Sequence, residues 1–98
     1  KLFTIEAEIE LTERGGRTQP AMTGYRPAFR FIDHQQTSGS IKLLHTQVLH
    51  LGVITLVEIS FFSDELLGVI EPGVEFNFFE GPVRVGSGKV LKVLGWKE

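Results

Sequence analysis

Hydrophobic and polar residues alternate with a period of two along several short segments of this 98-residue chain. In residues 3–11, apolar side chains at odd positions alternate with Thr and Glu at even positions. This pattern predicts a β-strand with one buried and one solvated face. Residues 28–32, 55–62 and 74–78 repeat it. The inward positions predicted by the alternation are Ile5, Ala7, Ile9, Phe29, Phe31, Val57, Ile59, Phe76 and Phe78.

Two further segments extend the pattern. Residues 41–44 form a short apolar run after a Ser-Gly-Ser sequence at 38–40, which predicts a turn followed by a strand. Residues 86–94 predict the last strand. Val90 and Leu94 share a face there with Lys92, so the alternation does not decide which face of this strand is buried.

Turn signals separate these segments, and none of the segments has helical periodicity. Glu71-Pro72-Gly73 is one such signal, because Pro presets φ and Gly admits a positive φ. About six short strands on a small chain are typical of a barrel or a sandwich. A closed barrel is favoured because closure removes exposed strand edges.

Residues 15–27, GGRTQPAMTGYRP, stand apart from the strands. Gly and Pro at this density predict a shaped loop rather than a core element. Gly24 suits a backbone turn that a Cβ would obstruct, and Tyr25 is expected to bury its ring and bond a partner through its hydroxyl. The residues assigned to the structure of this loop are Gly15, Gly16, Pro20, Gly24, Tyr25 and Pro27.

Size and composition indicate one globular domain over residues 1–98, with 42% hydrophobic and 22% charged residues. No apolar run is long enough to span a bilayer, and no secretory signal is visible. The absence of cysteine suits a reducing compartment, so a cytoplasmic location is expected. Because the sequence begins at Lys1 rather than Met, a trimmed or partial chain is expected.

Charge is unevenly distributed along the chain. The net charge of −2 gives no general attraction to nucleic acid or to an anionic membrane. Residues 1–13 carry four Glu and one Lys, whereas residues 14–32 carry four Arg and no acid. Guanidinium groups suit phosphate and carboxylate equally, so this basic segment is either a binding surface or a set of structural ties. Its arginines are Arg14, Arg17, Arg26 and Arg30.

Residues 86–89, Gly-Ser-Gly-Lys, superficially suggest a phosphate-binding loop. A P-loop needs G-x-x-x-x-G-K-[ST], and here Val83 replaces the first glycine while Val90 replaces the hydroxyl residue. The pair Gly86 and Gly88 is explained more simply by a tight bend of the barrel. We therefore predict that the chain binds no nucleotide.

No constellation of residues indicates an enzyme. Three histidines share no metal-ligand spacing, and they are expected at or near the surface. Three glutamates on one face of the first predicted strand are expected to be a solvated face. We predict no catalysis, no metal and no cofactor. The residues considered are His34, His45, His50, Glu6, Glu8 and Glu10.

Three motifs in order resemble the C-terminal β-barrel domain of elongation factor Tu. Residues 4–9, TIEAEI, resemble its first strand; residues 15–27 resemble its GGR–x–x–P and GYRP loop; and residues 80–95, EGPVRVGSGKVLKVLG, resemble its closing segment. Between the last two motifs the resemblance rests on order and spacing. It implies a six-stranded Greek-key closed barrel that is not itself catalytic. We expect the chain to be this domain as a stand-alone chain, without the GTPase domain.

The resemblance also implies a binding surface. In that family the loop and the closing segment contribute to contacts with the T-stem backbone of aminoacyl-tRNA. Arg17 matches the arginine of GGR, and Gly86 and Gly88 match glycines that permit close approach to the backbone. Two family positions differ, because Thr18 replaces a His and Ala28 replaces a Gln.

Two functional hypotheses follow. The first is a binding module for tRNA-like RNA, bound weakly, or for a protein partner in translation. The alternative is a stand-alone protein-interaction barrel unconnected with translation. An exposed arginine stripe beside the glycines would favour the first, and internal pairing of the arginines would favour the second. Partner identity and oligomeric state stay open. The candidate binding residues are Arg14, Arg17, Arg26, Arg30, Gly86 and Gly88.

Overall fold

The computed structural model describes residues 2–32, 35–63 and 68–97. These residues form six β-strands and contain no helix, and so none that could cross a membrane. The strands are β1 (Leu2–Leu11), β2 (Ala28–Ile32), β3 (Gln35–Leu43), β4 (Thr55–Phe61), β5 (Glu75–Glu80) and β6 (Val83–Lys97).

The strands close into an antiparallel barrel in the order β1-β4-β3-β2-β5-β6. Strands β2, β3 and β4 are successive neighbours, and β1 lies beside β4, which is the Greek-key arrangement. Every strand is paired on both sides, so closure removes the exposed edges. The predicted six-stranded Greek-key closed barrel is confirmed.

The barrel interior is filled by the side chains that the alternation assigns to it. Eight of the nine predicted core residues are at most 3% exposed, and the ninth, Phe31, is partly buried and packs against them. Phe29 lies at the centre, with ring centroids of Phe61, Phe76 and Phe78 at 5.4, 5.8 and 5.6 Å. The register predicted from the sequence is therefore confirmed.

The predicted turn at residues 38–40 is wrong, because these residues lie inside β3. Gly39 is buried and faces the interior. A Cβ at this position would lie 3.0 Å from a ring carbon of Phe29 and 3.1 Å from both Ile59 and Phe61. The glycine leaves room for the large ring of Phe29 from the neighbouring strand. In the sequence, a glycine that is needed for packing cannot be distinguished from one that marks a turn.

Thr4 departs from the solvated face predicted for β1, because only 1% of its surface is exposed. Its hydroxyl lies 3.2 Å from the Ser60 hydroxyl on β4, and the two residues are paired across the strands. The polar side chain is therefore accommodated by a hydrogen bond between neighbouring strands.

Strand β6 is longer than predicted and contains two register shifts against β1. Ala7 pairs with Val90 and Ile5 with Val93, and the intervening shift leaves Leu91 exposed. A β-bulge inserts an extra residue and so resets which side chains point inward. This explains why no single alternation assigned a buried face to the segment.

Candidate binding surfaces

The loop between β1 and β2 packs closely on the barrel. Ala21 exchanges backbone hydrogen bonds with Leu49, with N–O distances of 3.0 and 2.7 Å, and both side chains belong to the core. Pro27 is also buried. The segment is a loop between β1 and β2, as predicted, and the side chain of Ala21 in addition belongs to the core.

Three side chains from distant parts of the chain form what we call the loop cluster: Arg17, Tyr25 and Glu80. The Tyr25 hydroxyl and Arg17 Nη1 both donate to Glu80 Oε2, the latter at 2.6 Å. Arg17 Nε donates to the Gln19 carbonyl at 2.9 Å and Nη2 to the Pro20 carbonyl at 3.0 Å. The guanidinium thus ties the loop both to itself and to β5.

The charges of the loop cluster compensate one another. The hydrogen bond from Tyr25 is the main cause that lowers the pKa of Glu80, and Arg17 adds to it against the effect of burial. Burial is the main cause that raises the pKa of Tyr25, followed by the interaction with Glu80. Burial opposes the charge of Arg17, but Glu80 and Tyr25 outweigh it and raise its pKa. All three groups therefore keep their ordinary charge at neutral pH.

The contacts of Tyr25 match the expectation from the sequence, whereas the surroundings of Gly24 correct it. Tyr25 is partly buried and bonds Glu80, as expected. Gly24 has a φ of 100°, and its N–H donates to the Ile41 carbonyl at 2.9 Å. However, nothing lies within 4 Å of a Cβ built on Gly24. The backbone conformation, and not crowding, requires glycine there.

The neighbouring glycines serve the same loop in two ways. Gly15 has a φ of 79°, whereas Gly16 packs against β6. A Cβ on Gly16 would lie 2.4 Å from the Thr12 hydroxyl and 3.2 Å from the Arg84 carbonyl oxygen. The GGR sequence therefore places Arg17 where its guanidinium reaches β5.

The four candidate arginines do not share one environment. The guanidinium carbons of Arg17, Arg26 and Arg30 lie over the rings of Tyr25, Phe62 and Phe79, at 4.7, 4.4 and 4.1 Å from the ring centroids. Phe62 follows β4 and Phe79 lies on β5, two strands that β3 and β2 separate. Arg26 and Arg30 therefore lean toward different sides of the barrel. Arg14 is exposed in the loop.

Gly86 and Gly88 lie beneath aromatic rings in the barrel wall. Each pairs across the strands with a Phe of β5, Gly86 with Phe78 and Gly88 with Phe76. An added Cβ would lie 2.2 Å from the Phe78 ring or 2.6 Å from the Phe76 ring. Ring packing accounts for both glycines without a ligand, and their role in binding stays a prediction.

Sequence reasoning missed three residues of these surfaces: Glu80, Phe62 and Phe79. Phe62 and Phe79 are the second members of Phe-Phe doublets. Because neighbouring residues of a strand point to opposite faces, one ring of each doublet must point outward. That signal could have identified the two aromatic platforms on which Arg26 and Arg30 lie. Nothing in the local sequence indicated that Glu80 would meet the loop.

The remaining candidates form no site among the described residues. His45 and His50 are exposed, and His34 lies outside the described residues. Within the described ranges no group of three or more acidic or histidine side chains could hold a metal ion. Residues 86–89 lie inside β6 and pair with both β1 and β5. Their backbone is paired with the neighbouring strands on both sides, so this segment does not have the conformation of a phosphate-binding loop.

A depression of about 420 Å³, here called the outer pocket, lies where β2, β5, β6 and β1 adjoin. Its lining mixes apolar side chains with three carboxylates and two cations. No ion pair within 4.0 Å joins these charged groups in the described part of the chain. The charged residues are Glu8, Glu10, Glu75, Arg30 and Lys89.

Comparison with known proteins supports the resemblance drawn from the motifs. The chain is 36% identical over 91 residues to elongation factor Tu 2 of Streptomyces avermitilis. The match covers 93% of this chain and 22% of that protein. No protein-family profile matches the chain. The resemblance to elongation factor Tu is confirmed, and the closed six-stranded barrel is consistent with the C-terminal domain of that protein.

Proposed function

We propose that this chain is a non-catalytic binding module, related to the elongation factor Tu barrel, whose partner is a protein. Its homology to a segment of that factor supports a translation-related role. The observation that carries the choice of a protein partner is the engagement of Arg17. Its guanidinium already bonds one carboxylate and two carbonyls.

The electrostatics of the whole chain point the same way. RNA binding draws most of its free energy from phosphate neutralisation by Lys and Arg. Here the net charge is −2, Glu80 compensates Arg17, and Arg30 shares the outer pocket with three carboxylates. A surface of mixed charge suits a protein, which offers both signs of charge, better than a polyanion.

A weak RNA contact is the second candidate, and the exposure of Arg14 and Arg26 favours it. With at most three or four arginines available, log affinity should fall with log salt with a shallow slope of roughly −2 to −4. Base preference should be slight, because phosphate contacts position a protein without specifying sequence. We expect binding of the isolated chain to tRNA to be weaker than about 1 μM at physiological salt.

Two measurements test the choice between these partners. Fluorescence anisotropy with labelled tRNA, over a range of salt, should show weak and shallow binding that Arg14→Ala reduces and Arg17→Ala hardly changes. A pull-down from cytosol, with and without nuclease, should retain translation proteins after RNA is destroyed. Tight tRNA binding at physiological salt, or capture that disappears with nuclease, would contradict a protein partner.

We further propose that the chain neither binds nor hydrolyses GTP and that it acts in the cytoplasm. Residues 86–89 lack the P-loop sequence and belong to a barrel strand. Isothermal titration should give no heat with GTP. A micromolar GTP affinity would overturn this assignment.

A further inference from the structure

We propose that the outer pocket binds an extended segment of a partner protein that carries an acidic and a basic side chain about four residues apart. The acidic side chain would meet Arg30, and the basic one would meet Glu10. This inference rests on the proposed function, because it specifies the chemistry of the partner.

Arg30 is the group that calls for an acidic ligand. Its guanidinium carbon lies over the Phe79 ring, 4.1 Å from the ring centroid, and this contact favours one position of the side chain before any ligand arrives. Its Nε is buried and has no hydrogen-bond partner. This atom is covered by the protein, so a ligand would meet the outer edge of the guanidinium instead. Arg30 forms no ion pair within 4.0 Å in the described part of the chain, and a carboxylate there would supply the opposite charge.

The strand register sets the span of the site. Arg30 pairs with Asn77, Asn77 with Ser87 and Ser87 with Glu10, so one row of side chains crosses β2, β5, β6 and β1. Three interstrand spacings separate the ends of this row, which is roughly 14 Å along the sheet. Because the sheet curves into a closed barrel, this length is an upper limit on the straight distance, and an extended segment covers it in at most about four residues. The amide of Asn77 and the hydroxyl of Ser87 lie between the charged ends.

A second row adds further charges of both signs. Lys89 pairs with Glu75 on one side and with Glu8 on the other. The two rows contain three carboxylates and two cations, and Arg84 adds a third cation beside them, because its Nη1 donates to Asn77 Oδ1 at 3.3 Å. This mixture of charges disfavours a polyanion such as RNA and favours a ligand that carries both signs of charge.

Exposed apolar side chains frame the charged rows. Ile32 and Ile54 line the pocket and are 40% and 67% exposed. Burying them under a ligand would add favourable apolar contact without further charge. The ligand class is therefore a protein segment with apolar as well as charged residues.

The test uses capped peptides on a background of Val, Ala and Thr. One carries an Asp and a Lys about four residues apart, and its two relatives carry two Asp or two Lys at the same positions. Binding to the intact chain is followed by fluorescence anisotropy and by amide chemical shifts. We expect the mixed peptide to bind best and to shift the amides of Asn77, Ser87 and Lys89.

Matched variants assign the two ends of the site. Arg30→Gln should weaken binding of the mixed peptide about three- to fivefold, and Glu10→Gln should do the same. Arg14→Gln and Glu71→Gln remove the same kinds of charge outside the pocket and should leave the affinity for the mixed peptide unchanged. Circular dichroism melts verify that each variant is folded.

Several results would overturn the proposal. One is that the three peptides bind equally well or not at all. Another is that the chemical-shift changes lie away from the pocket. A third is that the control variants lose as much affinity for the mixed peptide as Arg30→Gln and Glu10→Gln do. Failure of the proposed function is recognised separately, by nuclease-sensitive capture in the pull-down. If capture of identified translation proteins survives nuclease and is also unchanged in Arg30→Gln and Glu10→Gln, only the assignment of the pocket fails.

Discussion

The loop cluster and the outer pocket are built around the same side chain and yet differ in what they leave unpaired. In the loop cluster, Arg17 bonds a carboxylate and two carbonyls of its own chain. In the outer pocket, Arg30 lies on an aromatic ring with its Nε unpaired and carboxylates nearby. The first arrangement closes a loop, whereas the second leaves Arg30 without an ion pair in the described part of the chain.

This difference bears on how motif residues are interpreted. Arg17, the arginine of the GGR motif, is the candidate with the most internal hydrogen bonds. Arg30, which forms no ion pair in the described part of the chain, lies outside the quoted GGR and GYRP motifs. A residue that matches a family motif can therefore serve the architecture of a domain, while the groups that bind a partner lie elsewhere on its surface.

The largest expected effect is on the core that underlies the pocket. Phe76 lines the outer pocket and contacts Phe29 and Phe31 in the interior. Phe76→Ala should lower the free energy of unfolding by about 3–5 kcal/mol, since it leaves a cavity. Urea denaturation measures this. Phe62→Ala, at a 47% exposed ring, is the control and should cost much less; equal losses would show that the register is wrong.

The next effect compares the two arginines directly. Arg17→Ala removes three hydrogen bonds and should lower the free energy of unfolding by about 1–2 kcal/mol, because the cluster is only partly buried. Arg30→Gln removes no such bonds and should cost less than about 1 kcal/mol. Thermal melts of both variants, with a double-mutant cycle of Arg17 and Glu80, check this. A larger loss of unfolding free energy in Arg30→Gln than in Arg17→Ala would contradict this comparison of the two arginines.

A somewhat smaller effect is expected where the loop turns. Gly24 has a φ of 100°, which a side chain disfavours, so Gly24→Ala should cost about 1 kcal/mol. Gly68→Ala is the matched control, because Gly68 has no positive φ and nothing within 4 Å of an added Cβ. Differential scanning calorimetry compares the two variants. Equal melting temperatures would show that this turn does not hold the loop.

The smallest effect concerns pH and is confined to the loop cluster. The pKa of Glu80 is lowered in the folded chain, chiefly by the hydrogen bond from Tyr25 and also by Arg17. Its contribution to stability is therefore present above the ordinary carboxyl pKa of about 4.3 and is lost as the pH falls through the lower folded value. Glu80→Gln should flatten the acid limb of a stability–pH profile. Glu75→Gln serves as the control; an unchanged limb in Glu80→Gln would contradict this role.

Much of the fold followed from alternation alone. In the regular strands the period of two assigns inward and outward faces without knowledge of the neighbours, and the predicted core residues pack as expected. The loop composition also marked the segment that connects β1 and β2. These features are local, because each depends on residues within a few positions of one another.

The sequence by itself therefore determined the strands, the closed barrel and most of the core. Only the tertiary structure decided which face of β6 is buried, because two register shifts reset its alternation. It also decided that Gly39 lies in a strand, where the missing Cβ leaves room for the ring of Phe29. It also decided which arginine is paired, since Glu80 meets Arg17 across 63 positions and Phe79 meets Arg30 across two neighbouring strands. Such contacts depend on strand order and register between distant segments, which a local pattern of residues does not contain.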